Sequence, residues 1–123
     1  MLKLNKSLVL SVAALVVFVG MAQTAKAGER ENVEKIGASL CRAVRYMSGE
    51  PILDTYSSTG NTLTMRIYFF GVLTGLKYTA DITIYFESGS ARISSISYSD
   101  NAPTAHDPVY VEKWKRETNA KLR

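Results

Sequence analysis

The sequence predicts an α+β domain: an N-terminal helix packed on a four-stranded antiparallel β-meander, followed by a C-terminal helix. Three observations predict it. Apolar residues recur every three or four positions from Val33 to Met47. From Ile52 to Tyr98 the period falls to two, most cleanly over Lys77 to Glu87. After Asp107-Pro108 the pattern becomes helical again.

The first helix is expected over Glu31 to Met47. Val33, Ile36, Leu40, Val44 and Met47 form one stripe, and Glu31 and Lys35 are an i,i+4 pair in the favourable order. Arg42 and Arg45 near its end suit the helix dipole, and Gly49 and Pro51 stop it. Gly37 lies near the buried face, where it suggests close approach to a sheet.

Four strands follow, with turns at Thr59-Gly60-Asn61, Gly71 to Gly75 and Ser88-Gly89. Pairing Met65 with Ile82 matches apolar faces and sets Arg66 opposite Asp81. A two-residue Ser88-Gly89 turn pairs Ile84 with Ile93 and Tyr85 with Arg92. That register sends Ile96 and Tyr98 to the outer face and Ser95 and Ser97 inward. A bulge near Ser94-Ser95 would reverse all four. Strand 1, about Ile52 to Ser57, has two registers. A three-residue turn sets Asp54 beside Arg66, and a two-residue turn points Tyr56 inward. Asp107 and Pro108 read as N-cap and first residue of the second helix, which runs to about Lys121. Its stripe is Tyr110, Val111, Trp114, Thr118 and Leu122, and it either docks by Trp114 or frays to fold on a partner. A helix across a curled antiparallel sheet resembles cystatin-like and NTF2-like rolls in architecture alone. No motif of either family is present, so no function follows.

Residues 1–27 read as a cleaved signal peptide, with residues 28–123 as one small domain. Lys3 and Lys6 precede the apolar run Leu8 to Val19, and Ala25-Lys26-Ala27 supplies the small residues of a cleavage site. The run is shorter than the roughly 20 residues that span a bilayer, so no transmembrane anchor is expected after cleavage. The two-lysine start suits an exported bacterial protein, with the periplasm expected ahead of the extracellular medium. Cleavage removes three of the 15 Lys and Arg and none of the 11 acids, so the net charge falls from +4 to about +1. That argues against a nucleic-acid partner, which needs a clustered basic surface.

Cys41 is the single cysteine, on the apolar stripe beside Leu40 and Val44. It reads as a small buried hydrophobe, with an intermolecular disulfide as the sharper alternative. One histidine, His106, and one cysteine in different elements cannot build a structural zinc site. The oxygen-rich stretch Ser99-Asp100-Asn101 lacks EF-hand spacing, and neither a positioned nucleophile nor a phosphate loop occurs. Asp81 already has Arg66 as a partner, which suits an ion pair better than a general acid. The expectation is therefore no enzyme, cofactor or metal.

Tyrosine is abundant. In the register above, Tyr68, Tyr85, Tyr98 and Ile96 share the outer face with Arg66 and Arg92, a composition found at interface cores. The expected function is a non-enzymatic exported protein–protein interaction module, an accessory subunit of an envelope or secretion assembly. It binds a protein partner or itself, as a homodimer, through those six residues. An inhibitor or immunity-type protein blocking a hydrolase is the alternative, using the loops Gly71 to Gly75 and Ser99 to Asp107. A carrier of a small apolar ligand among Met65, Ile67, Ala80 and Ile82 is the second.

Overall fold

The computed structural model describes residues 26–45 and 50–122. The elements, in chain order, are α1 (Lys26–Arg45), β1 (Ile52–Thr59), β2 (Thr62–Phe70), β3 (Lys77–Phe86), β4 (Ile93–Asp100) and α2 (Pro108–Ala120). The strands form one antiparallel sheet in the order β1-β2-β3-β4, the meander the alternation predicts. Most of the expected signal peptide lies outside the described residues. Lys26 and Ala27 belong to α1, which starts five residues before the expected Glu31. The predicted end at Met47 lies outside the described residues.

Both helices sit on the inner side of the sheet. α1 buries Val33, Ile36, Leu40, Cys41 and Val44 against Leu63, Met65 and Ile67 of β2 and Ala80, Ile82 and Ile84 of β3. Gly37 is what permits the approach: a Cβ there would overlap Ile67 Cδ1 and Met65 Sδ. The close packing thus rests on the helix glycine, and Ser95 and Ser97 of β4 take no part in it, because they face outward. Gly37→Ala gains helix propensity of up to about 1 kcal/mol. It forces overlap costing typically about 1–3 kcal/mol. A net loss of stability in urea unfolding is expected, and a gain would show that β2 yields to the helix.

α2 docks rather than frays. Asp107 Oδ1 accepts from Val109 N at 3.0 Å, and Pro108 opens the helix. Val111, Trp114 and Thr118 are buried, and the Trp114 indole N–H donates to Ser39 Oγ of α1 at 3.0 Å. The outer sheet face is therefore left uncovered by α2.

Two bulges set the parity of the edge strands. The β2–β3 register is as predicted, with Met65 opposite Ile82 and Arg66 opposite Asp81. In β4 the register shifts after Phe86↔Ile93, so that Tyr85 pairs with Ser95, Ile84 with Ile96 and Ile82 with Tyr98. Ser94 is the extra residue. Ile96 and Tyr98 consequently face inward, and Ser95 and Ser97 outward. The bulged alternative gives this facing, but the two-residue turn and the pairing of Ile84 with Ile93 are not found: Glu87 N donates to Arg92 O, the turn takes in residues 88–91, and Ile93 lies opposite Phe86. In β1 a Gly60-Asn61 turn pairs Thr59 with Thr62 and turns Tyr56 inward opposite Met65. A bulge at Asp54 still leaves that carboxylate close enough to raise the Arg66 pKa, after the larger effect of Asp81.

Helix side chains close both sheet edges near the bulges. Glu34 Oε2 accepts from Leu53 N at 3.0 Å, and Arg30 donates to the carbonyls of Leu53 and Asp54, each at 3.1 Å. On the opposite edge Asn119 accepts from Ile93 N at 2.8 Å and donates to Ile93 O at 3.0 Å. An amide side chain thus stands in for a neighbouring strand.

Candidate functional site

At the end of the sheet where β2 turns into β3, the chain presents apolar side chains to water. Residues 71–76 close on themselves. Gly71 N donates to Leu76 O and Gly75 N to Gly71 O, both at 2.9 Å. Thr74 Oγ1 accepts from Leu76 N at 3.2 Å and shares a hydrogen bond with Tyr78 Oη at 3.1 Å. Gly75 has φ +68°, which L side chains rarely adopt. The loop therefore satisfies its own backbone and holds its shape while Phe70, Val72, Leu73 and Leu76 stay exposed. Leu73 is 98% accessible. Single exposed apolar residues are ordinary, but three on one short loop, with Phe70 beside them at the end of β2, form a patch that marks a contact surface.

The second wall of the site is the β4–α2 connection. Asn101 continues the β3 pairing, with Thr79 N donating to Asn101 Oδ1 at 2.8 Å and Asn101 N to Thr79 O at 3.2 Å. Between the two loops lies an open groove of about 350 Å³ lined by Phe69, Val72, Leu73, Tyr78, Pro103 and Arg45, among others. The loops Gly71 to Gly75 and Ser99 to Asp107, distant in sequence, thus meet around one concavity.

A buried ionic knot fixes that wall. The Arg45 guanidinium donates to both oxygens of Asp100, at 2.8 and 2.5 Å. Asp100 also accepts from the Tyr98 hydroxyl at 2.7 Å and from Ala102 N at 3.1 Å. The Asp100 side chain is 1% accessible and that of Arg45 13%. Burial alone would raise the Asp100 pKa, but the Arg45, Tyr98 and Ala102 donors outweigh it and hold the carboxyl below its usual value. The His106 ring packs edge-on against Tyr98, with centroids 4.6 Å apart. Asp100, which the sequence places in a loop, is the last residue of β4 and a structural anchor.

Cys41 lies beside this knot, fully buried. Burial and the Asp100 charge push its thiol up to about 12. Cys41 thus sits in the core as the small buried hydrophobe its place on the apolar stripe suggests, and the alternative of an intermolecular disulfide would first require α1 to expose the thiol. Among the described residues, no three of His, Cys, Asp and Glu come together to hold a metal. No described helix is long and apolar enough to cross a membrane.

The six residues expected to form one partner surface do not. Ile96 and Tyr98 face the core side of the sheet, because the bulge at Ser94 changes their parity. Arg66, exposed, is paired with Asp81 at 2.9 Å. Tyr68 sits near Phe70, edge to face at 6.1 Å, with Lys77 Nζ 4.2 Å from its centroid. Tyr85 is exposed at the opposite end of the outer face. It is six residues along β3 from Thr79, the partner of Tyr68, which is roughly 20 Å. Arg92 follows the β3–β4 turn, paired with Glu87 at 3.1 Å.

No family model, curated protein or solved structure significantly matches this chain.

A larger, shallow groove of about 690 Å³ lies between α2 and the β3–β4 turn. Two of its cations already have partners, Arg92 with Glu87 and Lys115 with Glu112, each at 3.1 Å. The hollow that an apolar-ligand carrier would use is filled: Met65, Ile67, Ala80 and Ile82 are buried beneath α1. Sequence reasoning treated Gly71 to Gly75 as a turn and missed the apolar prong. Its signal was present as Val72-Leu73, two large apolar residues inside a glycine-bounded turn where polar ones are the rule.

Proposed function

We propose that this is a non-enzymatic exported binding protein that grips a protein partner with the β2–β3 end of its sheet. The observation that supports it is the apolar prong of Val72, Leu73 and Leu76, with Phe70 at its base, beside a groove built from both end loops. A prong next to a concavity offers complementary shape, which a protein surface can fill and a lipid bilayer does not need. The nearby cation Lys77 lies over the Tyr68 ring, and among the described residues no basic cluster flanks the loop to draw it to anionic lipid.

This mode uses loops at one end, as an inhibitor of an exported enzyme would, and not the flat tyrosine face of an assembly subunit. Inward placement of Ile96 and Tyr98 favours the end-on mode. The partner's identity separates the two roles: a hydrolase silenced at 1:1 stoichiometry makes the chain an inhibitor, and an envelope complex makes it a subunit.

Val72→Ser with Leu73→Ser should leave the melting temperature within a few degrees of wild type, because both side chains are already in water. It should weaken partner capture from the envelope fraction at least about tenfold, corresponding to roughly 1.4 kcal/mol. Arg66→Ala should retain capture. Flotation of the wild-type chain with liposomes, lost in the double serine variant, would replace the protein partner with a membrane and overturn the proposal.

A further inference from the structure

The groove beside the prong is lined by a single ionised side chain. Among its described lining residues Arg45 alone is charged, set in a wall that includes Phe69, Val72, Leu73, Tyr78 and Pro103. A guanidinium carries five N–H donors in a fixed fork. Arg45 commits Nε and Nη2 to the two oxygens of Asp100. Among the described residues no acceptor is bonded to Nη1. Ser58 Oγ is the one described side-chain polar atom that is both buried and unpartnered, so Nη1 reaches open space. The fork cannot swing to use it elsewhere, because Asp100 is itself held by the Tyr98 hydroxyl and Ala102 N.

We propose that Arg45 is the specificity-determining residue of this groove, and that it selects an uncharged apolar peptide segment whose main-chain carbonyl accepts from Nη1. The inference rests on reading this end of the sheet as a protein-binding site and names the chemistry of the partner. At about 350 Å³ the groove lies at the small end of ligand sites, with room for a side chain or two. Arg45 and Asp100 neutralise each other, so an incoming anion gains no net attraction, and an incoming cation meets the guanidinium. A sugar brings hydroxyls for which Phe69, Val72, Leu73 and Pro103 offer no partner. A bare hydrocarbon fills the walls but strips water from Nη1 and returns no acceptor. A peptide carbonyl beside its own apolar side chain meets both demands.

The probes are acetyl-leucyl-phenylalanine amide, which is neutral, and the same peptide with a free carboxylate. Each is titrated into the protein while the Leu73 methyl and Arg45 guanidinium resonances are followed by NMR. The amide should shift both sets of signals with one midpoint, and the carboxylate should bind no more tightly. Arg45→Lys keeps a cation for Asp100 but loses the fork. It should weaken the amide about tenfold, the size of one hydrogen bond to a charged group. If that variant fails to fold, the wild-type Arg45 signals decide alone. Leu73 shifts without Arg45 shifts, undiminished binding by a folded Arg45→Lys, tighter binding of the carboxylate, or binding of neither peptide would overturn the proposal. None of these outcomes touches the prong reading, which falls instead on liposome flotation or on partner capture unchanged in the double serine variant.

Discussion

Asp100→Asn should cost about 3 kcal/mol of folding stability at pH 7. Removing one partner of a buried ion pair typically costs about 3–5 kcal/mol, because the other charge is left uncompensated. The low end applies because the Arg45 side chain is 13% accessible and retains some hydration. The substitution preserves shape, so the loss reports charge and hydrogen bonding, not a cavity. Against a total of about 5–15 kcal/mol for a domain, this is a large effect. Urea unfolding at pH 7 measures it, and a loss below about 0.5 kcal/mol would mean the knot contributes no net stability.

The same pair sets an acid limit. The folded-state pKa of Asp100 lies below its ordinary 3.8. A depressed carboxylate pKa contributes stability that is fully present above the unfolded value and lost as pH falls through the folded one. The stability gap between wild type and Asp100→Asn should therefore be constant near neutrality and shrink below about pH 4. A gap independent of pH down to acid unfolding would contradict the assignment.

Trp114→Ala should also destabilise by about 3–5 kcal/mol, the usual cost of truncating a buried tryptophan. The indole is buried and bonded to Ser39 of α1. Loss of α2 would also uncover the β4 edge that Asn119 closes at Ile93. A single cooperative unfolding transition is expected for wild type, followed by both near- and far-ultraviolet circular dichroism. A cost below about 1 kcal/mol would mean that α2 frays independently of the core.

The contrast between β3 and β4 shows what the sequence makes legible. β3 alternates cleanly, and its pairing with β2 satisfies two independent tests, apolar Met65 with Ile82 and ionic Arg66 with Asp81. β4 reads ISSISYSD, and its serine pair carries no hydrophobic information. A one-residue bulge there changes the face of everything after it. That single shift dissolved the six-residue tyrosine surface. The helix caps at Asp107 and Pro108 were legible because capping is local. The Arg45–Asp100 knot was not, since its members are 55 residues apart and only the tertiary fold brings α1 to the end of β4. The apolar prong was visible as residues, but its exposure depends on the loop closing through its own hydrogen bonds.

The most direct test of the proposed binding end is site-specific photo-cross-linking in the producing cell, with the photoreactive residue at position 73 in one chain and position 64 in another. A discrete protein adduct from position 73, with none from position 64, is the predicted result. A protein adduct from position 64 alone, or lipid adducts alone from position 73, would contradict it.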